Sequence, residues 1–583
     1  MNKLSTPVTA ACLALSLGFG HLQAAGDSTF LIVSGKDDYW KKGNPTEASG
    51  NANITVNESQ KYQKWQGFAG TFNEAGWDAL SKLSSSDREK AMRLLFDVND
   101  GIGFTWGRIP IGASDYALIR YTLNENADDF NMDKFSIDRD KQYLIPYIKA
   151  AQAVKPNIRF WASPWTPPTW MKSPVGYDGG EMKNEAKYLQ ANALYLARFC
   201  EAYKGENIPI DAICPQNEPG YTQNYPSCGW GKYRTPDEKE VNKAEYLSTF
   251  TKDYLVPAIK EKSPETDIWF GTLSNDKYAN DYWNGAKSKA GNDIKAVGLQ
   301  WNNVTLAGNV YKEGKYLVVQ SEHQCGNYPW KQKTNSVESA NRENFLESMA
   351  PNNHAYGEES WDLIKNWIEA GVHVYSAWNM VLDTKGFNLD EKRKWPQNAL
   401  LAVDKQAGTL KVTPTYYVFR HIAQYVDTGA IRIAAQGGNA LSFLNPNGSI
   451  VTIAYNNGNN AAQTTVAVSG KKYQFSIPSK GWATLVVNWE KPVSINKAGS
   501  NKLINSASDL RITRKENGYM VTLPNQQAGR IELLTVNGRV LQSREIPQGS
   551  REVFLKKQAS YSGLLLLRVI NGAETKTARF FAL

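Results

Sequence analysis

Between about residue 64 and residue 425, short runs of β-branched and aromatic residues alternate with longer stretches whose apolar residues recur every three or four positions. The runs are typical of buried strands and the stretches of amphipathic helices. Eight runs predict strands: Gly67–Phe72, Phe104–Ile111, Ile158–Ala162, Ala212–Pro215, Ile268–Leu273, Ala296–Trp301, Tyr316–Ser321 and Val372–Trp378. This order predicts an α/β fold, a (β/α)8 TIM barrel over residues 64–426. A doubly wound sheet is the alternative, but no G-x-G-x-x-G follows the first strand, which weakens its dinucleotide-binding form.

Helical patterns lie between most of these strands. The clearest examples are Ser84–Phe96, Lys141–Val154 and Lys187–Tyr203. We expect Ser-x-x-Asp capping chemistry at Ser85 to start the first of them, because a serine hydroxyl satisfies an unpaired N–H of the first turn.

The segments on either side of the barrel alternate apolar and polar residues with a period of two. Residues 28–63 and 427–490 contain short runs of this kind broken by Asn and Gly, which predicts a β-sandwich side domain. The first segment is too short to fold alone, so we expect it to complete the sandwich. Residues 494–508 are rich in Ser, Asn and Lys and predict a linker, and residues 509–583 predict a small separate C-terminal β domain.

The first 25 residues have the pattern of a cleavable signal peptide. Lys3 precedes an apolar run from Thr9 to Phe19, and small residues follow at Ala24 and Ala25. A lipoprotein-type signal at Cys12 is the weaker alternative, because this cysteine lies inside the apolar run. No other stretch is apolar over the length of a membrane span. We therefore expect a protein without an integral span that is secreted, periplasmic or held at the cell surface.

Composition and charge narrow the class of partner. Hydrophobic residues make up 42% and charged residues 21%, as in ordinary globular proteins. Of the net charge of +9, the last 83 residues contribute most, with 13 Lys or Arg against 6 Asp or Glu, whereas all 18 Trp lie at or before Trp489. A nucleic-acid interface needs basic and aromatic side chains together, so this segregation argues against one. The basic C-terminal domain either attaches the protein to an acidic cell surface or wall polymer, or is a plain soluble surface.

Cysteine and histidine give no sign of a metal site or cofactor. After signal cleavage, Cys200, Cys214, Cys228 and Cys325 remain, and neither a Cys214–Cys228 disulfide nor buried free thiols can be preferred from the sequence. The histidines are scattered, and we expect no metal and no cofactor. His323 beside Glu322 invites a proton relay, but a hydrogen-bonded packing histidine is the better interpretation.

Two glutamates follow predicted strands on the side where barrel enzymes carry their chemistry. Glu218 comes after the fourth strand, in Cys214–Pro219, and Glu322 after the seventh, in Val318–His323. Such a pair suits glycoside hydrolysis, in which one carboxyl group protonates the leaving oxygen and the other attacks the anomeric carbon or activates water. The many Trp and Tyr side chains suit stacking on sugar rings.

Six blocks of sequence stand in an order that resembles glycoside hydrolase family 30, the family of glucosylceramidase and of bacterial and fungal β-1,6-glucanases. The resemblance extends over about residues 60–490. The blocks are Gly67–Gly76, Arg108–Gly112 with Asp115, Ala162–Lys172, Gln216–Pro219, Ser321–Glu322 and Ser376–Asn379. The resemblance implies a (β/α)8 barrel fused to a β-sandwich and hydrolysis with retention of anomeric configuration.

The same resemblance implies roles for individual residues. Glu218 matches the acid/base and Glu322 the nucleophile. Asn217 matches the residue that holds the sugar 2-hydroxyl, and Arg108 is expected to orient Glu322 by charge-assisted hydrogen bonds and to keep it ionised. Matches to positions that contact the sugar are Asp115, Trp165, Trp378 and Asn398. The alternatives are ordinary core aromatics for the two tryptophans and a structural ion pair for Arg108.

The sequence therefore predicts a secreted retaining β-glycosidase that needs no cofactor, with β-1,6-glucan as the preferred substrate. Glucosylceramidase, β-glucosidase, β-xylosidase and β-1,6-galactanase are the alternatives within the family. A non-catalytic glycan-binding protein and an inverting hydrolase are the alternatives outside it. The C-terminal domain is similar to sorting or attachment domains of secreted bacterial enzymes. A carbohydrate-binding module is the alternative, although the absence of Trp argues against a stacking platform.

Overall fold

The structure is a computed structural model that describes most of the chain. The described residues are 29–234, 240–274, 278–324, 352–389, 396–488, 503–504, 511–515, 517–523, 528–535, 540–556, 563–571 and 574–582. The predicted signal peptide, Cys325 and most of the predicted linker lie outside them. The chain divides into two units, residues 1–489 and 490–583.

Eight parallel strands close into a barrel in the first unit, and all eight predicted strands are confirmed. In chain order they are β1 (Gly67–Thr71), β2 (Trp106–Ile111), β3 (Arg159–Pro164), β4 (Ala212–Ile213), β5 (Asp267–Leu273), β6 (Ile294–Gln300), β7 (Leu317–Glu322) and β8 (Val374–Asn379). Their residues are almost all buried, because neighbouring helices cover the outer face while side chains fill the interior. This explains why the strands appear in the sequence as nearly continuous apolar runs.

The helices pack around the barrel. They are α1 (Glu74–Ser81), α2 (Ser85–Phe96), α3 (Leu144–Val154), α4 (Ala186–Gly205), α5 (Glu245–Phe250), α6 (Val256–Lys262), α7 (Ala279–Ala290), α8 (Val304–Glu313), α9 (His354–Glu369) and α10 (Pro414–Ala423). Short 3₁₀ turns at Asp140–Gln142 and Thr169–Met171 and a π turn at Thr251–Leu255 join this set.

Two predicted helix starts were wrong. The cap of α2 is Ser84, whose hydroxyl accepts the N–H of Asp87 at 3.1 Å and lies 2.8 Å from its carboxylate. The Ser-x-x-Asp spacing is satisfied from Ser84 and not from Ser85. Helix α3 begins at Leu144, because the preceding Asp140 is buried in a 3₁₀ turn and its carboxylate accepts the hydroxyls of Tyr121 and Tyr203.

The barrel interior is filled by three tryptophans set among small residues. Trp106 and Trp269 lie 5.1 Å apart between ring centroids, and Trp161 and Trp269 lie 5.7 Å apart. Ala69, Ala212 and Ala296 belong to the same apolar cluster. This combination of large and small side chains packs the interior and builds a rigid aromatic floor beneath the carboxyl ends of the strands.

A ten-stranded antiparallel-rich sheet curls into the β-sandwich. Its order is Asp38–Gly43, Phe30–Gly35, Gly481–Val487, Ile450–Asn456, Ala440–Leu444, Ile431–Gln436, Ile54–Lys64, Ala462–Val468, Lys471–Ile477 and Thr46–Glu47. Strands from before and after the barrel share one apolar core. Smaller sheets join Val381–Asp383 with Leu401–Asp404 and Thr409–Val412, Lys172–Ser173 with Glu181–Met182, and Lys232–Arg234 with Glu240–Asn242.

His421 on α10 ties the barrel to the sandwich. Its Nδ1 lies 2.8 Å from the Thr484 hydroxyl, and its Nε2 lies 2.8 Å from the Ser34 hydroxyl. The Thr484 hydroxyl donates to the His421 carbonyl oxygen, so it accepts from Nδ1–H, and Nε2 accepts from Ser34. Both ring nitrogens are therefore satisfied in the neutral form, and burial lowers the pKa of His421 to about 3.

The second unit contains two four-stranded sheets around its own apolar core. One sheet holds Leu503–Ile504, Arg511–Lys515, Gly518–Thr522 and Glu552–Lys556, and the other holds Val540–Ile546, Gly529–Thr535, Gly563–Asn571 and Glu574–Ala582. The first strand lies inside the segment predicted as a linker, so that prediction was wrong at this end. Leu503 and Ile504 are apolar residues in a polar stretch, and they pair with Ile512 and Arg511.

Three of the four mature cysteines are buried free thiols, namely Cys200, Cys214 and Cys228. The Cys214–Cys228 disulfide is therefore absent from the described residues. None of the described helices combines the length and the apolar composition needed to cross a bilayer.

We expect His421 to make the first unit less stable as the pH falls. Below pH 6.5 the His421 imidazole binds a proton in the unfolded chain, whereas in the folded protein it stays neutral down to about pH 3. The free energy of unfolding therefore falls by about 1.4 kcal/mol per pH unit in this range. His421→Gln should be less stable than wild type by about 1–3 kcal/mol at pH 7.5, yet should lose less stability between pH 6.5 and 4.5. Urea unfolding followed by tryptophan fluorescence measures this, since all the tryptophans lie in the first unit.

Thr484→Val is the matched control, because it removes the same hydrogen bond without removing a titratable group. Its pH dependence should equal that of wild type. Equal pH dependence of His421→Gln and wild type would contradict the assignment.

Candidate active site

Polar side chains from seven of the eight barrel strands, or from the residues just after them, meet at the carboxyl end of the barrel. They are Asn73 after β1, Arg108 in β2, Ser163 in β3, Asn217 and Glu218 after β4, Thr272 in β5, Gln300 at the end of β6 and Glu322 at the end of β7. All of these residues are buried. The strands therefore gather polar groups from distant parts of the sequence into one low-dielectric site.

Arg108 is the centre of the hydrogen-bond network. Its Nη1 donates to Glu322 Oε2 at 2.8 Å, its Nη2 donates to Asn217 Oδ1 at 2.6 Å, and its Nε donates to Ser163 Oγ at 3.2 Å. The guanidinium is wholly buried. It thus fixes Glu322 and Asn217, the residue before Glu218, in one arrangement. That Arg108 orients a nucleophile remains a prediction.

Aromatic rings surround the same guanidinium. Its Cζ lies 4.4 Å from the ring centroid of Trp165, 4.9 Å from that of Trp161 and 5.4 Å from that of Trp378. Cation–π attraction of this kind is stronger where water is excluded. Trp165 and Trp378 stack at 5.4 Å, and each is only 2% exposed. They form part of the site by packing against Arg108, and their contact with sugar remains a prediction.

Glu218 is held from several directions. Its backbone N–H donates to Thr272 O at 2.9 Å, and its φ of +48° is unusual for a residue with a side chain. Gln300 Nε2 donates to Glu218 Oε1 at 2.8 Å, and the Tyr225 hydroxyl lies 3.4 Å from Oε2. Strained backbone of this type is concentrated at functional sites.

The two carboxyl groups have different electrostatic surroundings. Burial, the charge of Glu322 and the charge of Asp115 raise the pKa of Glu218 to about 8. Burial also raises the pKa of Glu322, but the charge and hydrogen bond of Arg108 act in the opposite direction. The expectation that Arg108 keeps Glu322 ionised remains a prediction. The charge of Arg108 favours the ionised form of Glu322, whereas the charges of Glu322 and Asp115 disfavour the ionised form of Glu218.

Asn398 lies at a different part of the rim. Its side-chain amide donates to Asn352 Oδ1 at 3.4 Å. The next residue, Ala399, packs in the apolar cluster that contains Trp165 and Trp378. The proposed sugar contact of Asn398 remains a prediction.

Sequence reasoning missed Gln300, Thr272 and Ser163. Gln300 is the last residue of β6. A polar residue at this strand end was a usable signal, because the glutamates follow or end the fourth and seventh strands. The Thr272 hydroxyl donates to Asn217 Oδ1 at 2.6 Å, and no sequence pattern predicts such a contact.

His323 forms hydrogen bonds with Tyr375 and Ser360, as expected of a packing histidine. Within the described ranges no cluster of His, Cys, Asp or Glu could hold a metal ion.

Two family models match the first unit. The one described as "Glycosyl hydrolase family 30 TIM-barrel domain" matches residues 65–426, and the one described as "Glycosyl hydrolase family 30 beta sandwich domain" matches residues 429–485.

Curated proteins with similar sequences are named as glucosylceramidases or as endo-1,6-beta-D-glucanases. "Putative glucosylceramidase 1" of Caenorhabditis elegans is 27% identical over 76% of this chain and 84% of its own length, and the lysosomal acid glucosylceramidase of Mus musculus is 24% identical over 71% and 79%. The endo-1,6-beta-D-glucanase BGN16.3 of Trichoderma harzianum is 23% identical over 76% and 88%.

Solved structures with the same fold include SrfJ of Salmonella typhimurium and the endo-beta1,6-glucanase BT3312. SrfJ has a TM-score of 0.66 at 20% identity and covers 80% of this chain and 100% of its own. BT3312 has a TM-score of 0.64 at 22% identity and covers 79% of this chain and 99% of its own.

Removing Arg108 should leave the buried charge of Glu322 uncompensated. We expect Arg108→Met to lower the free energy of unfolding at pH 7.5 by about 3–5 kcal/mol. The double variant Arg108→Met with Glu322→Gln should recover part of this loss. Urea unfolding followed by tryptophan fluorescence is the measurement.

Lys287→Met is the matched control, because Lys287 and Glu313 form an ion pair of the same 2.8 Å length with both side chains about one third exposed. It should cost less than about 1 kcal/mol. A double variant no more stable than Arg108→Met would refute the account.

Proposed function

The chain belongs to glycosyl hydrolase family 30 and is a glycoside hydrolase, and we propose that it cleaves β-1,6-linked glucan with retention of configuration. In this proposal Glu218 is the acid/base and Glu322 the nucleophile. The observation that carries it is the pair of buried glutamates at the ends of β4 and β7, held in unlike environments by Arg108 and Gln300.

In the first step, Glu322 attacks the anomeric carbon while Glu218 gives its proton to the leaving oxygen. Arg108 fixes one oxygen of Glu322, so the attacking group is oriented before substrate arrives. The pKa of Glu218, raised to about 8, supports the acid role, because the group is still protonated at neutral pH.

In the second step, Glu218 takes a proton from the water that hydrolyses the glycosyl-enzyme. The ester formed at Glu322 carries no charge. Because the charge of Glu322 is one cause of the raised pKa of Glu218, that pKa falls once the ester forms. The same carboxyl group is therefore an acid in the first step and a base in the second.

Two groups of similar proteins support different substrates. The preference for β-1,6-glucan draws on the relatives named as endo-1,6-glucanases and on the predicted signal peptide, which suits an extracellular polysaccharide. Glucosylceramide is the second candidate substrate, because the Caenorhabditis elegans and Mus musculus relatives, 27% and 24% identical, are named as glucosylceramidases.

Export and surface attachment are part of the proposal. Export is supported by the signal pattern of residues 1–25. Attachment through the C-terminal unit is supported by its separate core and its excess of basic residues.

The nucleophile can be trapped. A 2-deoxy-2-fluoro-β-glucoside with a dinitrophenolate leaving group should add one fluoroglucosyl unit to the protein, located by peptide mass spectrometry on Glu322. Glu322→Gln should cleave β-1,6-glucan at least about 10⁴-fold more slowly than wild type. Glucosylceramide in detergent, β-1,6-galactan and xylan complete the substrate panel.

Glu74→Gln is the control for this experiment, since Glu74 is also buried and paired with an arginine, Arg139 at 2.9 Å, but lies outside the carboxylate pair. It should retain activity and the label. Label on any other residue would overturn the assignment of the nucleophile, and cleavage of glucosylceramide alone would select the second candidate.

The acid role of Glu218 predicts the pH dependence of kcat/KM. Activity should fall above about pH 8 as Glu218 loses its proton. Asp115→Asn should move this decline to lower pH, because the negative charge of Asp115 helps to raise the pKa of Glu218. Asp211→Asn is the control with the same charge change, since Asp211 pairs with Arg159 at the amino end of β3, and its profile should match wild type. A decline that moves to higher pH in Asp115→Asn would contradict the role.

A further inference from the structure

Gln300 contacts the carboxyl group of Glu218. Its Nε2 donates to Glu218 Oε1 at 2.8 Å. A side-chain amide nitrogen can donate hydrogen bonds but cannot accept them, so Gln300 supplies a donor to Glu218.

The orientation of this amide is fixed. The Ser321 hydroxyl donates to Gln300 Oε1 at 3.1 Å, so the oxygen of the amide faces Ser321 and its nitrogen faces Glu218. The reversed amide would direct its oxygen at a carboxyl group and lose the bond from Ser321. Gln300 itself is wholly buried at the end of β6, and water cannot substitute for it easily.

A fixed donor decides which oxygen of Glu218 carries the proton. An amide N–H can only donate, so Oε1 is an acceptor in both protonation states of Glu218. In a carboxylic acid the carbonyl oxygen accepts more strongly than the hydroxyl oxygen, so the donor at Oε1 favours the proton on Oε2. The side chains of Tyr225 and Ser274 are the other donors near this carboxyl group, and their hydroxyls rotate and can accept as well as donate.

We propose that Gln300 is a positioning residue that holds the acid proton of Glu218 on Oε2 and fixes the orientation of this carboxyl group. This inference rests on the proposed roles of the two glutamates. When the proton moves to the leaving oxygen, the negative charge left on Glu218 is already met by a donor at Oε1. Because Ser321 holds the other end of the amide, that donor stays in place through both steps.

The test compares substrates that differ in their need for an acid. An alkyl β-glucoside needs a proton on its leaving oxygen, whereas a dinitrophenyl β-glucoside departs without one. Gln300→Met keeps the volume but removes the donor, and it should lower kcat/KM for the alkyl glucoside at least about tenfold more than for the dinitrophenyl glucoside. Gln300→Glu has nearly the same shape but replaces the donor with an acceptor. Its loss should be larger at pH 7 and should diminish at lower pH, where the new carboxyl group is protonated.

Gln63→Met is the matched control. Gln63 is also buried and bonded at both ends, with Ile368 O at 2.6 Å and Arg432 Nε at 3.0 Å, but it lies in the sandwich. It should lower activity toward the two glucosides by the same factor or not at all. Equal losses for the two glucosides in Gln300→Met would overturn the proposal.

A titration separates this inference from the proposed function. With ¹³C-labelled glutamate side chains, assigned through Glu218→Gln and Glu322→Gln, NMR should show a higher pKa of Glu218 in Gln300→Met than in wild type, because a donor to its ionised form is lost. An unchanged pKa of Glu218 would overturn the role of Gln300 whatever the substrate. If wild type cleaves neither glucoside, or Glu322→Gln is as active as wild type, the proposed function fails and the titration alone decides on Gln300.

Discussion

The buried guanidinium of Arg108 is the interaction on which the site depends. A charge inside a barrel is costly unless it is paired and hydrogen-bonded, and Arg108 meets this condition with a carboxylate, an amide, a hydroxyl and three aromatic faces. Those partners come from four strands or the residues just after them. The hydrogen bonds and ring contacts that compensate the charge of Arg108 therefore hold these strand ends together at the carboxyl end of the barrel. Glu322 is oriented as a consequence.

The difference between the glutamates arises from neighbours and not from burial. Both side chains are buried to a similar degree, 6% and 7% exposed. Asp115 adds negative charge near Glu218, while Arg108 bonds Glu322 directly. Their different neighbours give the two carboxyl groups unequal proton affinities. This difference is what allows one carboxyl group to act as an acid and the other as a nucleophile.

The sequence was sufficient to predict the eight strands, because barrel strands are buried on both faces and appear as apolar runs. It also predicted Glu218 and Glu322, because strand ends are where such residues matter. It could not predict Gln300 as a partner of Glu218, because that contact depends on how the strands are staggered in the closed barrel. Ser84 and Ser85 differ by one residue in a run of serines, which propensity cannot separate. The domain boundaries and the sugar contacts remain predictions.

The sandwich joins the two ends of the barrel sequence. Phe30–Gly35 pairs with Gly481–Val487, strands separated by more than 400 residues. Contacts between such distant segments form late, because a long loop must close first. During synthesis the amino-terminal strand leaves the ribosome long before its partner exists, so it stays an unpaired edge while the barrel is made. The sandwich of such a chain therefore cannot be completed until nearly all of the first unit has been synthesised, so its apolar inner face depends on the last strand, Gly481–Val487, for cover.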